Sequence, residues 1–157
     1  IYKNDMKTTS YTPKLIQYSK YYKTFSNVLK IRTVSAEYLV VMKLMAGRQY
    51  KNDLSDVVGI LIEQKNAEKE ISLESIKRAA GELYEGYENL PELSRNFIEA
   101  VYQNSDLSAL YEKIRDDEKQ NKDILLEFQD DYPDVLNGDN LADILRAAKA
   151  KKEKKNV

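Results

Sequence analysis

The segment Ser35–Leu61 constrains the fold of this chain more than any other part of the sequence. Its first half is apolar on nearly every side of a helix that the sequence ends at Gly47. A helix of this kind must be buried, so the sequence predicts a mainly α fold built around it. The helix contains one lysine, Lys43, and its apolar neighbours offer a buried ammonium no partner. Lys43 is therefore expected to meet an anion, and the nearest carboxylates that follow in sequence are Asp53 and Asp56.

Five further helices are predicted from apolar residues at helical spacing and from residues typical of helix ends. They are expected to start near Asp53, Ser72, Pro91, Asp106 and Leu141. The fourth helix in chain order is predicted to turn Leu93, Phe97, Ile98, Val101 and Tyr102 inward. The fifth contains the polar stretch RDDEKQNKD, so it either crosses solvent unbroken or breaks there, and Pro133 ends it. Asn137-Gly138 predicts a turn before the last helix, which is expected to reach about Lys152.

The first 34 residues are predicted to contain one strand. Residues 28–34, VLKIRTV, alternate apolar and basic side chains as a strand does. Residues 1–27 are rich in Tyr and Lys and are expected to be extended or irregular, with a short helix near Leu15–Tyr22. One strand is not stable alone, so further strands are expected from sequence upstream. The tyrosines, among them Tyr11, Tyr21 and Tyr22, either stack on a nucleic acid or pack against a missing layer.

Composition excludes several kinds of chemistry. The 157 residues include no Cys and no His, which excludes disulfides, thiol nucleophiles and imidazole ligands or bases. The net charge of -1 is unevenly spread, since residues 1–50 hold nine Lys or Arg against two Asp or Glu. This basic first third could face phosphate or an acidic surface. No apolar stretch reaches membrane-spanning length and no signal peptide is visible, so a cytoplasmic protein with no membrane contact is expected.

The candidate site consists of Lys43 and the RxxxxDxxD pattern of Arg48, Asp53 and Asp56. In a structural interpretation, Asp53 is the N-cap of the second helix, Asp56 lies at its third position, and Arg48 forms a salt bridge to one of them. In a functional interpretation, the four residues converge as a phosphate or nucleotide subsite. Lys43 and Arg48 would then neutralise phosphate, while the aspartates orient them or help a Mg²⁺ ion. No Gly-rich phosphate loop accompanies the pattern.

The stretch SKYYKTFSNVLKIRTVSAEYLVVMKLMAGRQYKNDLSDVVGIL resembles the C-terminal half of a nucleotidyltransferase-like domain. The similar family is bacterial and related to the AbiEii-type toxins of toxin–antitoxin systems. Those toxins have a Lys in the helix after the core sheet, which Lys43 matches, and then an RxxxRDxxD-type motif. Arg48, Asp53 and Asp56 match that motif loosely, with Lys51-Asn52-Asp53 where the toxins have Arg-Asp or Lys-Asp. The resemblance continues more weakly through residues 70–150.

This resemblance implies how the chain is divided and what the complete protein does. Residues 1–66 would be the C-terminal portion of the α/β nucleotidyltransferase-like domain, with one strand or a short hairpin, and residues 67–157 a helical bundle extension. The complete protein would use an NTP and Mg²⁺, bound by a DxD-type carboxylate pair after a Gly-Ser or Gly-Gly turn. The sequence lacks that arrangement. The chain is therefore expected to hold no catalytic residue, no metal and no cofactor of its own.

An alternative hypothesis is a non-catalytic helical module for protein–protein interaction. Its exposed strand edge and tyrosines would bind the missing N-terminal half, an antitoxin-like protein or a second copy of the chain. Nucleic-acid binding ranks third, on the basic aromatic start and the Lys-rich end, and the overall acidity weighs against it.

Overall fold

A computed structural model describes residues 14–137 and 140–155 of the chain. Within these residues there are seven α-helices, a two-stranded hairpin and a short 3-10 helix. In chain order they are α1 (Leu15–Tyr18), β1 (Lys20–Phe25), β2 (Leu29–Thr33), α2 (Ala36–Ala46), α3 (Asp53–Asn66), α4 (Leu73–Tyr84), the 3-10 helix (Tyr87–Asn89), α5 (Glu92–Gln103), α6 (Leu107–Asp131) and α7 (Leu141–Lys155). The predicted mainly α fold with a short hairpin is confirmed.

The hairpin lies between α1 and α2 in sequence, and both of its strands are mostly exposed. Its turn has positive φ at Ser26 and Asn27 and is closed by a hydrogen bond from the Val28 amide to the Phe25 carbonyl at 3.0 Å. Two consecutive positive φ angles match the right-handed twist of the flanking strands. The sequence predicts β2 and allows a short hairpin, but it does not locate β1, because residues 20–25 lie in a segment expected to be extended or irregular. The physical reason is a register shift between Tyr21 and Lys23, which interrupts the alternation that signals a strand. The short helix expected near Leu15–Tyr22 ends at Tyr18.

Helix α2 is the centre of the core, as its apolar sequence predicts. Val40, Val41 and Leu44 are completely buried, and the helix packs against α3, α4 and α5. Gly47 ends it in the left-handed conformation, with φ 52°. Other buried apolar residues of this core are Val57, Val58, Leu61, Ile71, Ile76, Ala79, Ala80, Leu83, Leu90, Ile98 and Val101. Residues on both sides of the predicted 66/67 division therefore line one core, while the division itself stays a prediction.

The helix starts confirm most of the predicted caps. The Ser72 hydroxyl accepts a hydrogen bond from the Ser75 amide at 3.1 Å, and the Asp106 carboxylate accepts one from the Ala109 amide at 3.0 Å. Pro91 directly precedes α5. The prediction that Leu93 points inward is wrong, because Leu93 is 69% exposed on the first turn of α5.

Helix α6 is unbroken over 25 residues, including the polar stretch that could have broken it. It packs against α3 and also against α7. The Asn137-Gly138 turn lies partly outside the described residues. No helix in the described ranges combines the length and apolar character needed to cross a membrane.

Candidate functional site

The four residues of the candidate site meet where α2 ends and α3 begins. Lys43, in the last turn of α2, places its Nζ 3.2 Å from Asp53 Oδ1 and 2.7 Å from Asp56 Oδ2. Arg48, in the connecting loop, donates from Nε to Asp53 Oδ2 at 2.7 Å and from Nη2 to Oδ1 at 3.2 Å. Its backbone amide also donates to Asp53 Oδ2 at 3.3 Å. We call these four residues the ionic cluster, and it joins the two helices on either side of the loop.

Asp53 is the buried centre of the ionic cluster. Its side chain is 1% exposed, whereas the side chains of Lys43, Arg48 and Asp56 are 37%, 30% and 45% exposed. Burial alone would raise the pKa of Asp53, but the hydrogen bonds and positive charges of Arg48 and Lys43 hold this pKa below its usual value. Burial likewise opposes the charge of Lys43, and its hydrogen bonds to Asp56 and Asp53 raise its pKa above the ordinary value. Both shifts favour the charged forms, so Asp53 and Lys43 are ionised at neutral pH.

The start of α3 is capped by a residue that the sequence did not single out. Asp53 is the first residue of α3 and not its N-cap, because Lys43 and Arg48 engage its carboxylate. Glu118 of α6 takes over the capping: its Oε1 accepts from the Leu54 amide at 2.9 Å and its Oε2 from the Ser55 amide at 3.4 Å. Burial raises the pKa of Glu118, and the nearby charge of Asp53 raises it further, against the hydrogen bonds from residues 54 and 55.

Asn121 adds a second polar link between α6 and the loop after α2. Its Nδ2 donates to the Gln49 carbonyl at 2.6 Å, and its side chain is buried. Both Glu118 and Asn121 come from the polar stretch that was interpreted as solvated, and that interpretation is wrong for these two residues. No apolar residue in the stretch signals the contact. The only sequence signal for this contact would have been the helical spacing of Glu118, Asn121 and Leu125. This spacing places the three residues on one face of α6, and that face packs toward α3 and the loop.

The ionic cluster can orient and neutralise charge, but its aspartates are engaged by Lys43 and Arg48. No group of three or more acidic residues in the described ranges could hold a metal ion. The adjacent pairs Asp116-Asp117 and Asp130-Asp131 are exposed along α6. A phosphate could still approach Lys43, whose ammonium has three N–H donors and uses two of them within the cluster.

The aromatic start of the chain divides into buried and exposed parts. Tyr18 stacks on Tyr38 of α2 with 5.1 Å between the ring centroids. Tyr21 and Tyr22 of β1 are 58% and 65% exposed. Tyr11 lies outside the described residues. The segment thus presents two tyrosines at the surface and uses one to attach α1 to the core.

Compared with known proteins, the chain matches no family model, no curated protein and no solved structure. Its function must therefore be inferred from its own residues.

Proposed function

We propose that this chain is the C-terminal part of a nucleotidyltransferase-like protein, with the ionic cluster beside the phosphates of a bound NTP. The observation that supports this most is the convergence of Lys43, Arg48, Asp53 and Asp56, the residues on which the resemblance to that family rests, in one cluster. Lys43 lies at the edge of the cluster, where a phosphate can reach it. Asp53 and Asp56 orient the two basic groups and are not reactants.

The exposed edges of the hairpin are a second observation that supports this proposal. A two-stranded hairpin with exposed strands is marginally stable by itself. Among residues 14–137 and 140–155, each strand pairs only with the other, which leaves an outer edge on each that can accept a further strand. A nucleotidyltransferase-like domain would supply such strands, together with the carboxylate pair that binds Mg²⁺ and activates transfer. The described residues would then bind and orient the nucleotide without carrying out the chemical step.

The test is nucleotide binding and transfer by the complete protein with Lys43→Ala. If Lys43 binds phosphate, both nucleotide affinity and transfer rate fall, because one of the positive charges beside the phosphates is lost. Lys69→Ala is the matched control, since Lys69 is exposed beyond the far end of α3, outside the ionic cluster. Lys43→Arg separates binding from folding, because an arginine can keep the contacts with Asp53 and Asp56. Unchanged affinity and transfer in Lys43→Ala would overturn the assignment.

A second candidate function, a non-catalytic module for protein–protein interaction, is favoured by the exposed apolar surface of the hairpin. Tyr22, Val28 and Leu29 are 65%, 86% and 60% exposed. An N-terminal half, an antitoxin-like protein or a second copy of the chain could add a strand to this edge. This function predicts that Mg²⁺ and NTP do not raise the melting temperature of the complete protein. It also predicts that Val28→Lys with Leu29→Lys abolishes self-association in analytical ultracentrifugation, or capture of the partner.

A further inference from the structure

A groove with a volume of about 900 Å³ lies away from the ionic cluster's buried centre, between the α2–α3 loop, α6 and α7. Leucine is the commonest apolar residue of its lining, and two of these leucines are exposed: Leu93 at 69% and Leu126 at 50%. Large apolar side chains gathered in one concave surface mark binding sites more often than isolated exposed ones do. The leucines that line the groove are Leu93, Leu125, Leu126, Leu136, Leu141 and Leu145.

The charged residues of the groove are all positive. Arg48 and Lys51 come from the loop, Lys122 from α6, and Arg146 and Lys149 from α7. No Asp or Glu is among the lining residues, although the whole chain has 26 acidic residues against 25 basic ones. The basic residues are therefore concentrated in the groove, and this concentration does not follow from the nearly neutral composition of the whole chain. Among the described carboxylates, none forms a salt bridge with Lys51, Lys122 or Lys149.

We propose that this groove binds an amphipathic acidic helix of a partner protein. The leucines would receive the apolar stripe of that helix, and Lys51, Lys122 and Lys149 would pair with Asp or Glu beside the stripe, since Arg48 and Arg146 already pair with Asp53 and Asp143. The distribution of charge favours a helix over a single anionic head group. A head group would meet the cations of one wall, whereas the groove has cations on the α2–α3 loop, on α6 and on α7. Acidic residues flanking an apolar stripe would meet several of them at once.

The experiment uses a synthetic helical peptide of about 18 residues, long enough for a partly stable helix, with leucines at positions i, i+3, i+4 and i+7 and flanking glutamates. Its binding to the complete chain is measured by fluorescence anisotropy. We expect the double variant Lys122→Glu with Lys149→Glu to bind this peptide at least about tenfold more weakly. The matched control is Lys69→Glu with Lys113→Glu, which makes the same charge change at exposed residues outside the groove and should bind normally.

A third variant tests the apolar part of the groove. Leu126→Glu replaces an exposed leucine on α6, so the fold should be kept while peptide binding falls. Equal binding of a peptide with lysines in place of the glutamates, equal loss in the control variant, or binding to anionic lipid vesicles without binding to the peptide would each overturn the proposal. None of these substitutions touches the ionic cluster, so failure here is distinguishable from failure of the proposed nucleotide function.

Discussion

Asp53 is the residue on which the junction between α2 and α3 depends. Four donors, the Lys43 ammonium and the Nε, Nη2 and backbone amide of Arg48, converge on a carboxylate that is 1% exposed. Removing one partner of a buried ion pair usually costs more than the pair contributes, because the remaining charge stays uncompensated. The side chains of Lys43 and Arg48 are each about a third exposed, so water can hydrate their charges when Asp53 is replaced. This hydration limits the loss of stability.

We expect Asp53→Asn to lower the free energy of unfolding by about 2 kcal/mol. Asp56→Asn is the matched control: Asp56 is 45% exposed, and loss of an exposed ion pair should cost less than about 1 kcal/mol. Urea unfolding followed by circular dichroism measures both. Equal losses in the two variants would show that burial of Asp53 does not matter to stability.

The lowered pKa of Asp53 also predicts how stability depends on pH. A carboxyl group whose pKa is lower in the folded state stabilises the fold fully above its unfolded pKa, about 3.9 for Asp. That contribution is lost as the pH falls from there through the folded-state pKa. The difference in stability between the wild type and Asp53→Asn should thus be largest at neutral pH and shrink below about pH 4. Denaturant titrations at several pH values measure it, and a difference independent of pH would contradict the ion-pair assignment.

The raised pKa of Glu118 acts in the opposite direction. Its contribution to stability is present below the unfolded pKa of Glu and is lost as the pH rises through the folded pKa. The charge of Asp53 is one cause of the raised pKa of Glu118, so Asp53→Asn also lowers the pKa of Glu118 and the two effects do not cancel. The part of the Glu118 shift that comes from burial is common to both proteins, and the comparison removes that part.

Among the elements, the two ends of the α2–α3 loop differ in how well the sequence predicts them. Gly47 signalled the end of α2 because glycine tolerates the left-handed conformation it adopts there. The meeting of Lys43 with Asp53 and Asp56 was also expected, since they flank one short loop. The capping of α3 by Glu118 was not predictable. Glu118 lies 64 residues after Leu54, whose amide it accepts from, and no local sequence pattern links the two residues. The helical spacing of Glu118, Asn121 and Leu125 places them on one face of α6, but it does not show which distant element that face contacts.

Gly47 and Gly81 form a matched pair for testing the backbone of these elements. A Cβ on Gly47 would lie 2.7 Å from Ser94 Oγ and require a φ of +52°, whereas a Cβ on Gly81 in α4 has no neighbour within 4 Å. Gly47→Ala should therefore destabilise the protein by about 1 kcal/mol or more. Gly81→Ala should stabilise it by about 0.5–1 kcal/mol, because alanine favours a helix over glycine. Thermal unfolding of both variants tests this, and a change of the same sign in both would contradict the described loop.

At the scale of the whole molecule, the helices and the hairpin are stabilised very unequally. The core joins α2 to α3, α4 and α5, while the hairpin's main contacts are between its own two strands. Mostly exposed strands bury little apolar surface, so the hairpin should open without unfolding the core. Whether it opens in the complete protein then depends on what pairs with its edges.

Hydrogen exchange measures this difference directly. We expect the backbone amides of β1 and β2 in this chain to exchange orders of magnitude faster than those of Val40, Val41 and Leu44, whose exchange requires opening of the core. Adding the partner that extends the sheet should slow the strand amides and leave the core amides unchanged. The α7 amides serve as the control, because the main contacts of α7 among the described residues are with α6 and not with the hairpin. Strand amides that are already as protected as the core at low protein concentration would contradict an open sheet edge, and with it the structural support for both candidate functions.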